Sequence, residues 1–291
     1  MAVKKRQKLL SHGRPPVAQK KERMSSKQSR TIIREHHRLE KDHLVALKKG
    51  DVELATKFKE AIEKNGGIEG YQAASKQGQS KDRGGDSSRL LVEWLQQAKV
   101  LKSDLGIGSA LQPPQYRLLE VGALSTQNAI SKVPKTIKVT RIDLNSQGEG
   151  ILQQDFMERP LPTSDNERFD IISLSLVVNF VPDAVARGEM LKRAARFLKA
   201  KVDPIASEDA VLPALFLVLP LSCVKNSRYM NDKLLLRIMQ NLGFILTNEK
   251  KTSKLCYYLF KLANEGNGVK TGKKKLAVDG PGMNNFCIVV Q

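Results

Sequence analysis

The 291 residues predict an α/β fold. Its core is a mostly parallel, Rossmann-like sheet, preceded by a small helical appendage. Three observations carry this. A short apolar run, YRLLEV at 116–121, stops at Gly122 and gives way to small residues, as a buried strand does when it breaks into a turn. Asp143 closes a second run, KVTRID, twenty-one positions beyond Gly122. That is close to the interval between glycine turn and ribose-binding carboxylate in a βαβ nucleotide site. Two more runs, GILQQDF and FDIISLSLVVNFVP, carry polar residues at their ends, Asp155 and Asn179. Strands of this kind imply one ligand crevice at the carboxyl edge of a parallel sheet.

The elements follow in chain order. Residues 1–24, with KKRQK and a Pro-Pro break, read as a disordered basic arm of the kind that serves nuclear or nucleolar targeting. Within 25–85, Ile32, Ile33, Leu39, Leu44 and Leu47 form a helical stripe ending at Gly50. Asp51 caps a second helix through Val52, Leu54, Phe58 and Ile62. The pair predicts a basic αα-hairpin, and the Gly-, Ser- and Gln-rich stretch 65–86 predicts a linker. Residues 86–291 then form the α/β domain. Asp86 caps a helix whose Leu90, Leu91, Trp94 and Leu95 share one apolar face, which assigns Trp94 to the core. Strands are expected at 116–121, 137–142, 150–155, 169–178 and 214–221, with helices at about 124–132, across RGEMLKRAARFLKA and at 232–244. The apolar runs ILTNEK, KLCYYLFKL and FCIVV are expected to end the chain as strands.

The net charge is +19, and it is segregated. Residues 1–50 hold fifteen Lys/Arg against four Asp/Glu, whereas 143–183 hold eight acidic residues against two basic ones. This implies a polyanionic partner gripped away from the crevice. Cys223, Cys256 and Cys287 are widely spaced in apolar surroundings, and all four histidines lie at or before position 43. The pattern contains no metal-ligand spacing and fits free thiols in a reducing compartment. No run is long and apolar enough to span a bilayer and no signal-peptide core is evident, so a soluble, intracellular protein is expected.

Five parallel strands followed by a strand-rich end after a helix-Gly-Phe step resemble the class I S-adenosylmethionine-dependent methyltransferases, and that resemblance implies a Rossmann-like sheet with an antiparallel C-terminal strand. LLEVGALS, RIDLNS, the DF pair, FDIISLSLVVNFVP with RGEML, GGIEGYQAASKQGQS with RGGDSS, and the terminal NNFCIVV together resemble the fungal 25S ribosomal RNA adenine-N(1)-methyltransferase family. The resemblance covers nearly the whole chain beyond the basic arm. It implies the cofactor S-adenosyl-L-methionine and a substrate in large-subunit rRNA or a pre-ribosomal particle; the basic arm points to the nucleus and nucleolus, and the residue patterns above to no metal and no membrane. It also implies roles: Gly122 at the cofactor loop, Asp143 on the ribose hydroxyls and Glu120 beneath the methionine moiety; the broader class I resemblance implies Asp155 accepting from the cofactor amine and Phe156 offering its peptide N–H to the adenine ring. Only Gly122 remains of the glycine-rich turn usual in such enzymes.

Adenine N(1) bears an in-plane lone pair and no proton, so methylation there needs no strong general base. It needs alignment, an acceptor for the exocyclic amine and an aromatic face. Asn179 and Phe180 are the expected catalytic pair, although NFVP departs from the Asn/Asp-Pro-Pro-aromatic tetrad of amino-directed enzymes; Tyr229 is a further rim aromatic. Two other readings stay open on the residues alone. One is a pre-rRNA-binding assembly factor with an inactive pocket; the other, disfavoured by the missing second and third glycines, is a nicotinamide-dependent oxidoreductase.

Overall fold

The computed structural model describes residues 24–78, 85–101, 115–146, 148–199, 211–264 and 276–291. Most of the predicted basic arm, and a basic run KTGKKK at 270–275, lie outside them. Strand β1 (Tyr116–Val121) is the centre of the sheet, paired in parallel with β2 (Ile137–Asp143) on one side and β4 (Ile171–Ser175) on the other. The two-residue β3 (Leu152–Gln153) extends the β2 edge. Beyond β4 come β5 (Ala214–Pro220), then β7 (Leu255–Leu262), then β6 (Phe244–Lys251). The order is β3-β2-β1-β4-β5-β7-β6, and β7 alone runs against its neighbours.

Successive residues of a strand point to opposite faces. Leu118 and Leu119 accordingly enter two separate cores. On one face, α5 (Ala184–Phe197) and α7 (Asp232–Asn241) cover Leu119, Val121, Ile172 and Leu174. On the other, α4 (Ser88–Gln97) brings Leu91, Trp94 and Leu95 against Leu118, Ile171 and Phe216. Trp94 meets Phe216 edge-on at 6.0 Å, the core role expected of it. Each fully buried Leu or Phe here contributes roughly 1.5–3 kcal/mol.

Before the sheet stand α1 (Ser26–Lys48) and α2 (Val52–Lys64), the predicted hairpin. Ser25 and Gln28 close a capping box on α1, and Asp51 caps α2 through the Leu54 N–H. The stretch expected to be a linker departs from that reading, because Gly67–Gly78 is a third helix, α3. Its glycines lower helix propensity. Packing overrides them: Gln72 and Ala74 are buried, and α3 lies along α1.

Other boundaries shift. In place of a helix over 124–132 there is a single 3-10 turn, Ala129–Lys132. Ser125 accepts the Gln127 N–H and Asn128 donates to Glu120, so short polar side chains occupy the groups a helix would use. The strand expected at 169–178 stops at Ser175, because Leu176 takes a left-handed φ of 58°. That expected at 150–155 shrinks to β3. A short helix, α6 (Ser222–Lys225), follows β5. The terminal FCIVV is buried as expected of an apolar run, yet it joins no sheet. It lies instead against α5, with Val289 donating to the Ala184 carbonyl. A Cβ on Gly188 would come within 2.0 Å of the Val289 oxygen, so only glycine admits this crossing.

Candidate active site

At the carboxyl edge of the sheet lies a cavity of about 840 Å³. Its floor is the end of β1. Gly122 has φ 72°, and a Cβ there would meet Val177 Cγ2 at 2.8 Å. A side chain would be strained twice over, once by backbone and once by contact, so the position requires glycine. The neighbouring strand end carries Asp143. Its Oδ1 accepts the Asn145 N–H at 2.9 Å and the Gln72 amide at 3.5 Å. Burial raises the Asp143 pKa, opposed by the Asn145 N–H and the charge of Lys76.

Asp155 and Phe156, just past β3, line the same cavity. Asp155 Oδ1 accepts the Met157 N–H at 2.7 Å, which fixes the turn. The Phe156 ring is 2% exposed and packs 5.3 Å from Phe197. Phe180 also faces the cavity, but one of its ring faces is occupied: His37 of α1 stacks on it at 4.6 Å, and Tyr71 of α3 meets it edge-on at 5.6 Å. Burial, with His36 and Arg187 nearby, drives the His37 pKa down to about 4, so its imidazole is neutral.

Gly122, Asp143, Asp155, Phe156 and Phe180 therefore converge on one space. Glu120 and Asn179 lie outside its lining. Alternation along β1 turns Glu120 towards Asn128 (2.6 Å) and Arg141 (3.5 Å), and burial raises its pKa against both. The Asn179 Oδ1 is buried without a partner among the described residues. Tyr229 does not reach the cavity either; its N–H is bonded to Ser227 Oγ.

The remaining walls escaped the sequence reading. Helix α3 supplies Ile68, Tyr71, Gln72 and Ser75. Gln72 and Asn145 exchange two further hydrogen bonds, 2.8 and 3.2 Å, so helix and strand end are tied together beside Asp143. The sole signal for α3 was the GGIEGYQAAS string within the resemblance. Opposite, Thr252, Ser253, Lys254 and Tyr257 enter from the β6–β7 hairpin. Leu176, in its left-handed conformation, and Ser175, bonded to Ser87 at 2.7 Å, complete the floor.

The donor set suits an adenosyl cofactor. A half-buried carboxylate at the second strand end can accept from a ribose diol, and apolar Leu144, 67% exposed, stands beside it. Gly122, whose left-handed backbone and contact with Val177 admit no side chain, lines the cavity with its backbone. Among the described residues no group of three His, Cys, Asp or Glu could hold a metal ion. The three cysteines are buried and form no disulfide, and burial pushes Cys223 up to about 12.

Residues 56–288 match a family described as 25S rRNA (adenine(2142)-N(1))-methyltransferase, Bmt2. A Saccharomyces cerevisiae 25S rRNA (adenine(2142)-N(1))-methyltransferase is 40% identical over 230 residues. That alignment takes in 79% of this chain but 61% of the yeast protein, so the chain spans less than two thirds of that relative. A Schizosaccharomyces pombe 25S rRNA adenine-N(1) methyltransferase is 38% identical over 259 residues, covering 88% of this chain and 89% of the relative. Among solved structures, an O-methyltransferase family protein from Burkholderia thailandensis aligns with TM-score 0.44 at 10% identity, over 80% of this chain and 71% of its own.

Proposed function

This chain belongs to the 25S rRNA adenine-N(1)-methyltransferase family, and on that premise we propose that it is an S-adenosylmethionine-dependent enzyme methylating N(1) of an adenine in large-subunit rRNA. The observation that carries the reading is the convergence of Gly122 and Asp143 on a single cavity of about 840 Å³. That volume lies near the top of the range for small-molecule sites, enough for a nucleoside cofactor and an extruded base together.

When bound, S-adenosylmethionine supplies an electrophilic methyl on sulfur. The chain's own residues do the rest by placement. Asp143 accepts from the ribose hydroxyls, its carboxylate aimed by Asn145 and Gln72. Gly122 leaves the strand end bare. Asp155, held by the Met157 N–H, stands beside buried Phe156 and borders the base end. The attacking adenine nitrogen has no proton to lose, so alignment and exclusion of water account for the chemistry. Phe180 and Tyr71 offer aromatic edges to a base. Asn179 contacts substrate only if the 176–182 loop moves, since its carboxamide does not open onto the cavity.

The reading extends to a role in ribosome assembly in the nucleolus, supported by eight Lys/Arg against one acidic residue in positions 1–23. A fluorescent fusion lacking those residues should leave the nucleolus. The primary test is calorimetric titration of S-adenosylmethionine into wild type and Asp143→Ala, followed by mass-spectrometric assay of 1-methyladenosine in 25S rRNA. Binding by wild type, lost in the variant, with methylation of one adenine, is the expected result. A folded wild type that binds no cofactor would leave an assembly factor with an inactive pocket.

A further inference from the structure

We infer that the β6–β7 turn, Lys250 to Lys254, is a phosphodiester-binding site that grips the RNA backbone beside the target nucleotide. The inference rests on the methyltransferase reading above and says where its substrate is held. Because β7 alone is reversed, the β6–β7 turn emerges at the same sheet edge as the ends of β1, β2 and β4. Thr252, Ser253 and Lys254 consequently share one cavity with Gly122 and Asp143.

The strand order sets the direction of that cavity. From β2, which carries Asp143, to β7 is four strand steps across the sheet. At ~4.8 Å per step the two ends lie ~19 Å apart. A cofactor whose ribose is held at Asp143 and whose chain passes Gly122 occupies the β2–β1–β4 end. The β5–β7 end is left for the nucleotide that receives the methyl.

The turn at that end is rigid and cationic. Thr252 Oγ1 accepts the N–H groups of Lys254 (3.3 Å) and Leu255 (3.0 Å), and the Leu221 N–H ties the Lys254 carbonyl to the end of β5 at 2.8 Å. Lys251 is already engaged with Asp232 and Glu249. Lys250 and Lys254 are exposed and form no ion pair among the described residues. Lys250 is the cross-strand partner of Tyr257, so it lies on the Tyr257 face of the hairpin, and Tyr257 lines the cavity. These two ammonium groups, on a turn fixed by its own hydrogen bonds and carrying the cavity-lining Ser253, present positive charge where the phosphates flanking an extruded base would pass.

The test measures binding of a transcribed 25S rRNA fragment across a salt series. It compares wild type, Lys254→Ala, Lys250→Ala/Lys254→Ala and Lys254→Arg with the control Lys138→Ala. Lys138 is an exposed lysine near the start of β2, at the opposite sheet edge. Calorimetry of S-adenosylmethionine runs in parallel. Expected are a several-fold loss of RNA affinity at 0.15 M salt and a salt slope shallower by about 0.7–0.9 per lysine removed. Lys254→Arg should retain affinity, and cofactor binding should stay unchanged throughout. An unchanged slope, or an equal loss in Lys138→Ala, overturns the inference while the enzyme reading stands. A wild type that binds cofactor but neither binds nor methylates RNA overturns both.

Discussion

Asp143 and His37 are both perturbed by burial, with opposite consequences for pH. The Asp143 pKa is raised, so the folded protein carries the carboxylate at a cost above that pKa and is relieved of it below. On the proposed reading, the ionised Asp143 accepts from the cofactor's ribose hydroxyls, and its protonation weakens that acceptor. Cofactor affinity should therefore fall with acidification at a higher pH than an exposed aspartate would give, as calorimetry across pH 4–8 would detect. Asp143→Asn should remove that dependence, weaken binding and leave the ligand-free protein no less stable at neutral pH. His37 is the reverse case. Its pKa falls from 6.5 to about 4 in the fold, so the unfolded chain takes up a proton first. The stability tied to its neutral form is full above pH 6.5 and is lost as pH falls towards 4, by about 3 kcal/mol in all. His37→Phe should keep the stack on Phe180 and flatten that limb of a denaturation-against-pH series.

Helix α5 and the terminal segment make one unit. The Arg187 guanidinium donates to the Val181 and Cys287 carbonyls, each at 2.7 Å, reaches that of Pro182 at 3.3 Å, and lies 4.6 Å over the Phe286 ring. It thereby joins the loop bearing Asn179 and Phe180 to the end of the chain. Lysine cannot span that fork. Arg187→Lys should lower the melting temperature and reduce turnover more than cofactor affinity, measured side by side. Gly188→Ala should push the terminal segment off α5 through the clash with Val289, at a cost of about 1–3 kcal/mol or more. Hydrogen exchange would then rise at residues 286–291 before it rises in the sheet.

Across the whole molecule, the helical appendage is part of the site. Its α1 contributes His37 and Ile33, its α3 Tyr71 and Gln72, and Lys48 reaches Asp183, the N-cap of α5, at 3.6 Å. Removing residues 1–23 should weaken RNA binding and its salt dependence while cofactor affinity holds. Removing 1–50 should also weaken cofactor binding, because α3 loses the helix it packs on. Calorimetry and a salt series on the two truncations separate these outcomes.

The parallel strands, the glycine turn and the Asp143 carboxylate were legible from the chain because strand runs and their breaks are local patterns, whereas the reversed end followed only from the family resemblance, since strand pairing is long-range. So was the αα-hairpin, through its caps. Helix α3 was not: GGIEGYQAASKQG has a linker's composition, and α1 makes it helical. Nor did the alternation of β1 declare that Glu120 faces Arg141 instead of the cavity, since which face is which depends on what packs there. The stacking of His37 on Phe180 and the arrival of Lys254 opposite Asp143 join residues more than a hundred positions apart. The sequence by itself determined the class of fold and the position of a carboxylate, Asp143, at the end of a central strand. Only the tertiary structure decided which side chains share the cavity, because long-range packing and the reversal of one strand bring them to the same edge.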